Sequence, residues 1–119
     1  MKLEVKAVWI DDTSVTLEDF SPDSKDFFGI WVGFKVGLAD QLGADDFRVL
    51  VCSPSWLTAQ MSSNGVAWGK HTLLMKEFNH ELMVASIKLL VKNSASSDWA
   101  NTARNLAKFV EWEFEEYRE

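Results

Sequence analysis

Cys52 is the single cysteine of the chain, and His71 and His80 are its two histidines. A thiolate nucleophile would need one of those histidines beside it as base. Cys52 closes the apolar run "FRVLVC", the setting of a buried, inert thiol, and no cysteine-enzyme signature surrounds it. A metal centre needs clustered His, Cys or carboxylate ligands; "IDD" at residues 10–12 is too generic, and no zinc spacing is present. Gly29, Gly33 and Gly37 lie inside an apolar stretch and match no phosphate-cradling loop. The remaining candidate is Glu113 in "WEFEEY", residues 112–117. Placed on a helix at about 100° per residue, Glu113 projects into the apolar face near Leu106 and Phe109. A carboxylate there is costly unless paired or hydrogen-bonded. Either it accepts bonds from Arg48, His71, a Trp indole or backbone amides, or it is a catalytic carboxylate with a raised pKa. The structural role is the commoner one, so the sequence predicts no enzyme, no cofactor and no metal, and function must be sought on surfaces.

Those surfaces depend on the elements that carry them. Residues 2–10 alternate, with Leu3, Val5, Ala7 and Trp9 on one side of a strand and Lys2, Glu4 and Lys6 on the other. Residues 11–26 are acidic and turn-rich and predict a long loop, with a short strand at Val15–Leu17. In "FFGIWVGFKVGL", residues 27–38, the core face is Phe28, Ile30, Val32, Phe34 and Val36. The opposite face is Trp31 flanked by glycines, which leaves room for a ligand or partner, or simply for one large residue in a twisted sheet. Phe47, Val49 and Val51 point inward from a third strand; Ser53 caps and Pro54 opens a short helix. Residues 71–78 predict a fourth strand. From Asn79 the period changes to a helix with Leu82, Ala85, Leu89 and Lys92 on one line, widened by Met83, Ile87, Leu90 and Val91. A last helix, capped by Ser97, carries Trp99, Ala103, Leu106, Val110 and Tyr117 on its stripe. Strands first and helices after predict an α+β two-layer sandwich: about four mainly antiparallel strands covered on one face by two C-terminal helices, in a single domain over residues 1–119.

Composition narrows the classes further. Apolar residues make up 47%, which excludes a disordered chain. The formal charge of −6 opposes direct nucleic-acid binding and suits a basic protein partner. One cysteine forms no disulfide within the chain, the apolar residues of "MKLEVKAVWIDD" are broken by charges, and no run approaches membrane-spanning length. These features predict a cytoplasmic protein that does not enter a membrane.

Three segments, "VCSPSWL" (51–57), "WGKHTLLMKEFN" (68–79) and "WEFEEY" (112–117), together resemble the immunity protein 8 family of bacterial polymorphic toxin systems. Ser53 stands where that pattern has Thr, and Glu116 where it has Asp; both changes keep the chemistry. The resemblance implies a small inhibitor that binds and neutralises a cognate toxin, a nuclease among the candidates, by covering its active site or substrate cleft. Its signature positions here are Pro54, Trp56, Leu57, Trp68, Gly69, Trp112, Glu113, Phe114 and Tyr117. The residues read as architecture: Pro54 starts a helix, Gly69 sets a loop, and the aromatics anchor helices to the sheet. The expected toxin contact is the acidic segment, through Asp11, Asp12, Glu18, Asp19, Asp23 and Asp26 against the single base Lys25. A small-molecule-binding or regulatory module using the Trp31–glycine face is the alternative. An enzyme pairing Glu113 with His71 in one pocket is the second rival.

Overall fold

The alternating segments do form strands in the computed structural model, which describes residues 2–11, 13–61 and 64–114. In chain order the elements are β1 (Leu3–Ile10), β2 (Gly29–Leu38), β3 (Asp45–Cys52), α1 (Pro54–Gln60), β4 (Thr72–Leu74), α2 (His80–Ser94), α3 (Trp99–Ala107) and β5 (Glu111–Trp112). The sheet is open and runs β1-β2-β3-β4, with β5 also on β3. β1–β2, β2–β3 and β3–β5 are antiparallel. β4 runs parallel to β3, because α1 and the loop after it carry the chain back past Cys52, so that β4 starts level with Leu50 and runs the same way. The α+β class, the mainly antiparallel sheet and the covering by the later helices are as expected; the sheet has one strand more.

The core lies between the sheet and α2 and α3. Phe28, Val32, Phe34 and Val36 from β2 and its approach meet Phe47, Val49 and Val51 from β3, and Met83, Ile87, Val91, Ala103 and Leu106 close over them. Phe34 and Phe47 stack with centroids 5.7 Å apart. On α2 the buried line is Met83, Ile87 and Val91, a strict i, i+4, i+8 set, while Leu82 and Leu89 are 56% and 57% exposed. The line predicted through Leu82 and Leu89 is therefore rotated by one residue: those two leucines are on the wet flank, and the sheet takes Met83, Ile87 and Val91, with Leu90 packed beside them.

Four further expectations are corrected. A register shift between Val5 and Ala7 turns β1 over, so Leu3 and Val5 face the core with Val8 and Ile10, and Trp9 lands on the other face. No strand forms at Val15–Leu17; turns at Thr16 take the backbone bonds, and Leu17 alone is buried. The strand expected over 71–78 is only three residues long. The last helix ends at Ala107 instead of continuing through "WEFEEY", and its cap is Asp98, whose Oδ1 accepts from the Asn101 amide at 2.8 Å, not Ser97. After Ala107 the chain has a period of two: Val110, Trp112 and Phe114 alternate with Glu111 and Glu113. β3 offers a free edge at Phe47–Arg48, and β5 takes it. Tyr117, expected on the helical stripe, lies outside the described residues.

Candidate functional site

With α2 and α3 on the core face, the opposite face of the sheet is left without a covering helix over most of its breadth among the described residues. Odd-numbered β2 residues point to it, because successive side chains alternate. Strand pairing then lays out its rows: Trp9, Gly33, Arg48 and Glu111 form one; Trp31, Leu50 and Thr72 the next; Lys35 and Asp46 flank the first.

Arg48 sits at the centre. Its Nε donates to Glu111 Oε1 at 2.7 Å, and its guanidinium lies 3.5 Å from Asp11 Oδ2. The guanidinium also stacks over Trp31, 4.5 Å from the ring centroid. The bond to Glu111 holds the Arg48 pKa above its ordinary value. Lys35 pairs with Asp46 at 2.6 Å, which raises the ammonium pKa, and lies 5.6 Å from the Trp9 ring centroid. Trp9 Nε1 donates to Asp11 Oδ1 at 2.8 Å. A shallow cavity of about 170 Å³ opens here, lined by Trp9, Asp11, Asp46, Arg48, Glu111 and Glu113 among others. Four carboxylates thus face two cations, around aromatic rings.

The room beside the β2 glycines is occupied by the chain itself. A Cβ on Gly33 would lie 2.4 Å from the Trp9 ring, and one on Gly29 would lie 2.3 Å from the Trp56 ring. The space that the small-molecule alternative needed at these positions is filled. Glu113 is also not where a helix would put it. It is exposed, and its Oε1 accepts from the Asp46 amide at 2.7 Å while its own amide donates to the Asp46 carbonyl at 3.1 Å. It is therefore neither in the core nor placed with His71, which does not line the Glu113 cavity. Cys52 is fully buried, and burial raises its thiol pKa, which disfavours the thiolate a nucleophile requires. Among the described residues no group of three or more potential ligands could hold a metal, and no helix is long and apolar enough to cross a membrane.

The acidic segment sits at one end of this sheet. Ser55 Oγ donates to the Asp26 carbonyl at 2.7 Å and the Ser53 amide to the Phe28 carbonyl at 3.0 Å, so the segment lies beside the start of α1, as the strand order required. Leu17, Phe20 and Phe28 anchor it from within; Phe78 meets Phe20 and Phe28 edge-on at 5.3 and 5.4 Å, and its amide donates to the Lys25 carbonyl. Glu18, Asp19, Asp23 and Asp26 are exposed; Asp11 is tied into the open face; Asp12 lies outside the described residues.

Of the signature positions, Pro54 occupies the first turn of α1, and Ser53 Oγ accepts from the Trp56 and Phe28 amides. Leu57 is half-buried, and Trp112 stacks on Phe47 with its flank on Phe114. Trp68 is no anchor: it is 98% exposed, and Gly69 beside it faces open space. The sequence reading missed Asp45, whose Oδ2 accepts from both Trp99 Nε1 (3.1 Å) and Trp112 Nε1 (3.0 Å). Asp45, at the end of the sheet away from the acidic segment, thus fastens α3 and β5 to β3; only recognising β5 would have revealed it.

The family model described as Immunity protein 8 matches residues 3–117 of the chain. The comparison with curated proteins found no match, and the comparison with solved structures found none.

Proposed function

Because the chain belongs to the Immunity protein 8 family, we propose that it neutralises a cognate bacterial toxin by binding it directly and covering its active site or substrate cleft. The family match over residues 3–117 carries this reading. The distribution of charge supports a finer one. Residues 1–69 hold ten acids against five bases, and the acidic segment is held in place by its aromatic anchors rather than trailing in solvent. A toxin that acts on nucleic acid presents a basic cleft, and exposed carboxylates steer toward such a surface and occupy it in place of phosphate. Glu18, Asp19, Asp23 and Asp26 are the contact residues of this reading, with Asp11 and Asp12 at the border of the segment.

Co-expression with the toxin encoded beside this chain's gene is the test. Growth should be rescued, and the two proteins should copurify. Rescue without a complex would exclude direct neutralisation. Neutralising Glu18, Asp19, Asp23 and Asp26 together to the corresponding amides should slow association several-fold, on the order of what electrostatic steering supplies at low salt. The melting temperature should be unchanged. An unaltered association rate at every ionic strength would remove this segment from the contact.

A further inference from the structure

We infer that the open sheet face centred on Trp31 and Arg48 is the surface on which the toxin seats, through a partner patch with an apolar centre and a lysine- and arginine-bearing border. This rests on the toxin-neutralising reading and adds the surface that holds the complex, as distinct from the acidic segment that guides it.

Three observations carry it. The first is composition. A solvated face of an antiparallel sheet ordinarily carries small polar and charged residues. This one has Trp31, Leu50 and Leu74 toward the β4 side, with Leu74 52% exposed, and Arg48 stacked on the indole. An aromatic and an arginine at the middle of an apolar patch, ringed by charges, is the make-up of an interface centre. The second is rigidity. Arg48 is held by Glu111, Asp11 and Trp31, and Trp9 by Asp11, so these side chains lose little freedom on docking. The third is charge. The face presents Asp11, Asp46, Glu111 and Glu113 against Lys35 and Arg48. Residues 79–108, which hold both covering helices, have four bases against two acids. A basic partner is drawn to the open face and repelled by the helix layer.

The test uses the purified toxin domain that passes the growth-rescue experiment. Trp31→Ala, Leu74→Lys and Glu113→Lys change the open face; Ala85→Lys and Leu89→Lys change exposed apolar residues on α2 that lie away from Leu74. Each variant is first checked for a native melting transition. Should Trp31→Ala fail to fold, Leu74→Lys and Glu113→Lys carry the comparison. The face variants should raise Kd by about tenfold or more through faster dissociation, and the α2 variants should stay within about twofold of wild type. Face variants that bind like wild type while the α2 variants weaken would overturn the inference and leave the toxin-neutralising reading intact. A wild-type chain that forms no complex overturns both. Self-association in sedimentation that Leu74→Lys abolishes would assign the face to a second copy, whose basic helix layer could occupy it, and would also overturn the proposal.

Discussion

At the scale of single residues, the glycines and carboxylates of the sheet hold side chains in place. Gly33 gives Trp9 its berth, and the ring is fixed there by the bond from its Nε1 to Asp11. Gly33→Ala should therefore displace the indole and destabilise the fold by about 1–3 kcal/mol, the usual range for a group forced into filled space, measured by urea unfolding. Glu113 is an exposed acceptor for one backbone amide, so Glu113→Ala should lower stability by only about 0.5–1 kcal/mol. Trp68→Ala should leave the melting temperature nearly unchanged, because its ring meets water on every side. Cys52 gives a chemical readout. Burial keeps its thiol protonated above the ordinary value of 9.0, whereas the unfolded thiol ionises there. The folded state thus holds its proton longer, and this contribution to stability is complete below the unfolded pKa and falls as pH rises past it. A thiol reagent should label the native protein far more slowly than the urea-unfolded chain at the same pH; equal rates would place Cys52 at the surface.

At the scale of elements, what the sequence made legible and what it hid have separate physical causes. β2 and β3 were readable because their inward residues are uniformly large and apolar and their register has no interruption. The β1 pattern was readable only to Val5, since a register shift reverses the faces and leaves no mark in the alternation itself. The final segment was misread because the stripe Trp99, Ala103, Leu106 and Val110 fits a helix, and the following residues fit either period. Pairing with β3 sixty-odd residues away decided between them, and that is a tertiary effect. The position of the acidic segment was legible from strand order; the open face was not, because it required knowing which side the helices cover. Asp45 is where these elements meet. Asp45→Ala should leave the Trp99 and Trp112 indoles without their shared acceptor, cost about 2 kcal/mol and red-shift tryptophan emission as α3 and β5 loosen and the rings meet more water. An unmoved denaturation midpoint would mean water replaces the carboxylate at no cost.

At the scale of the whole molecule, two layers of opposite charge give the protein a direction. The sheet and its loops are acidic, and residues 79–108, which hold the covering helices, are net basic. Association with a basic partner should slow steeply as ionic strength rises toward 0.15 M, where the screening length is about 8 Å, while dissociation changes little. A salt-insensitive association rate would mean the charge arrangement plays no part in the encounter. The sheet's outline has a further consequence. β3 is flanked on one side by β2, and its other side is divided between β5 at Phe47–Arg48 and β4 at Leu50–Cys52. Those two pieces are two and three residues long and run in opposite directions. A foreign strand arriving at that border could match the hydrogen-bond spacing of one short piece and not of the next. A long free edge is a template for runaway strand pairing, and a border broken into opposed fragments is a poor one. The chain can thus leave one face of its sheet open to a partner while giving its own copies little purchase at the β4–β5 border, which confines strand pairing to the outer side of β1.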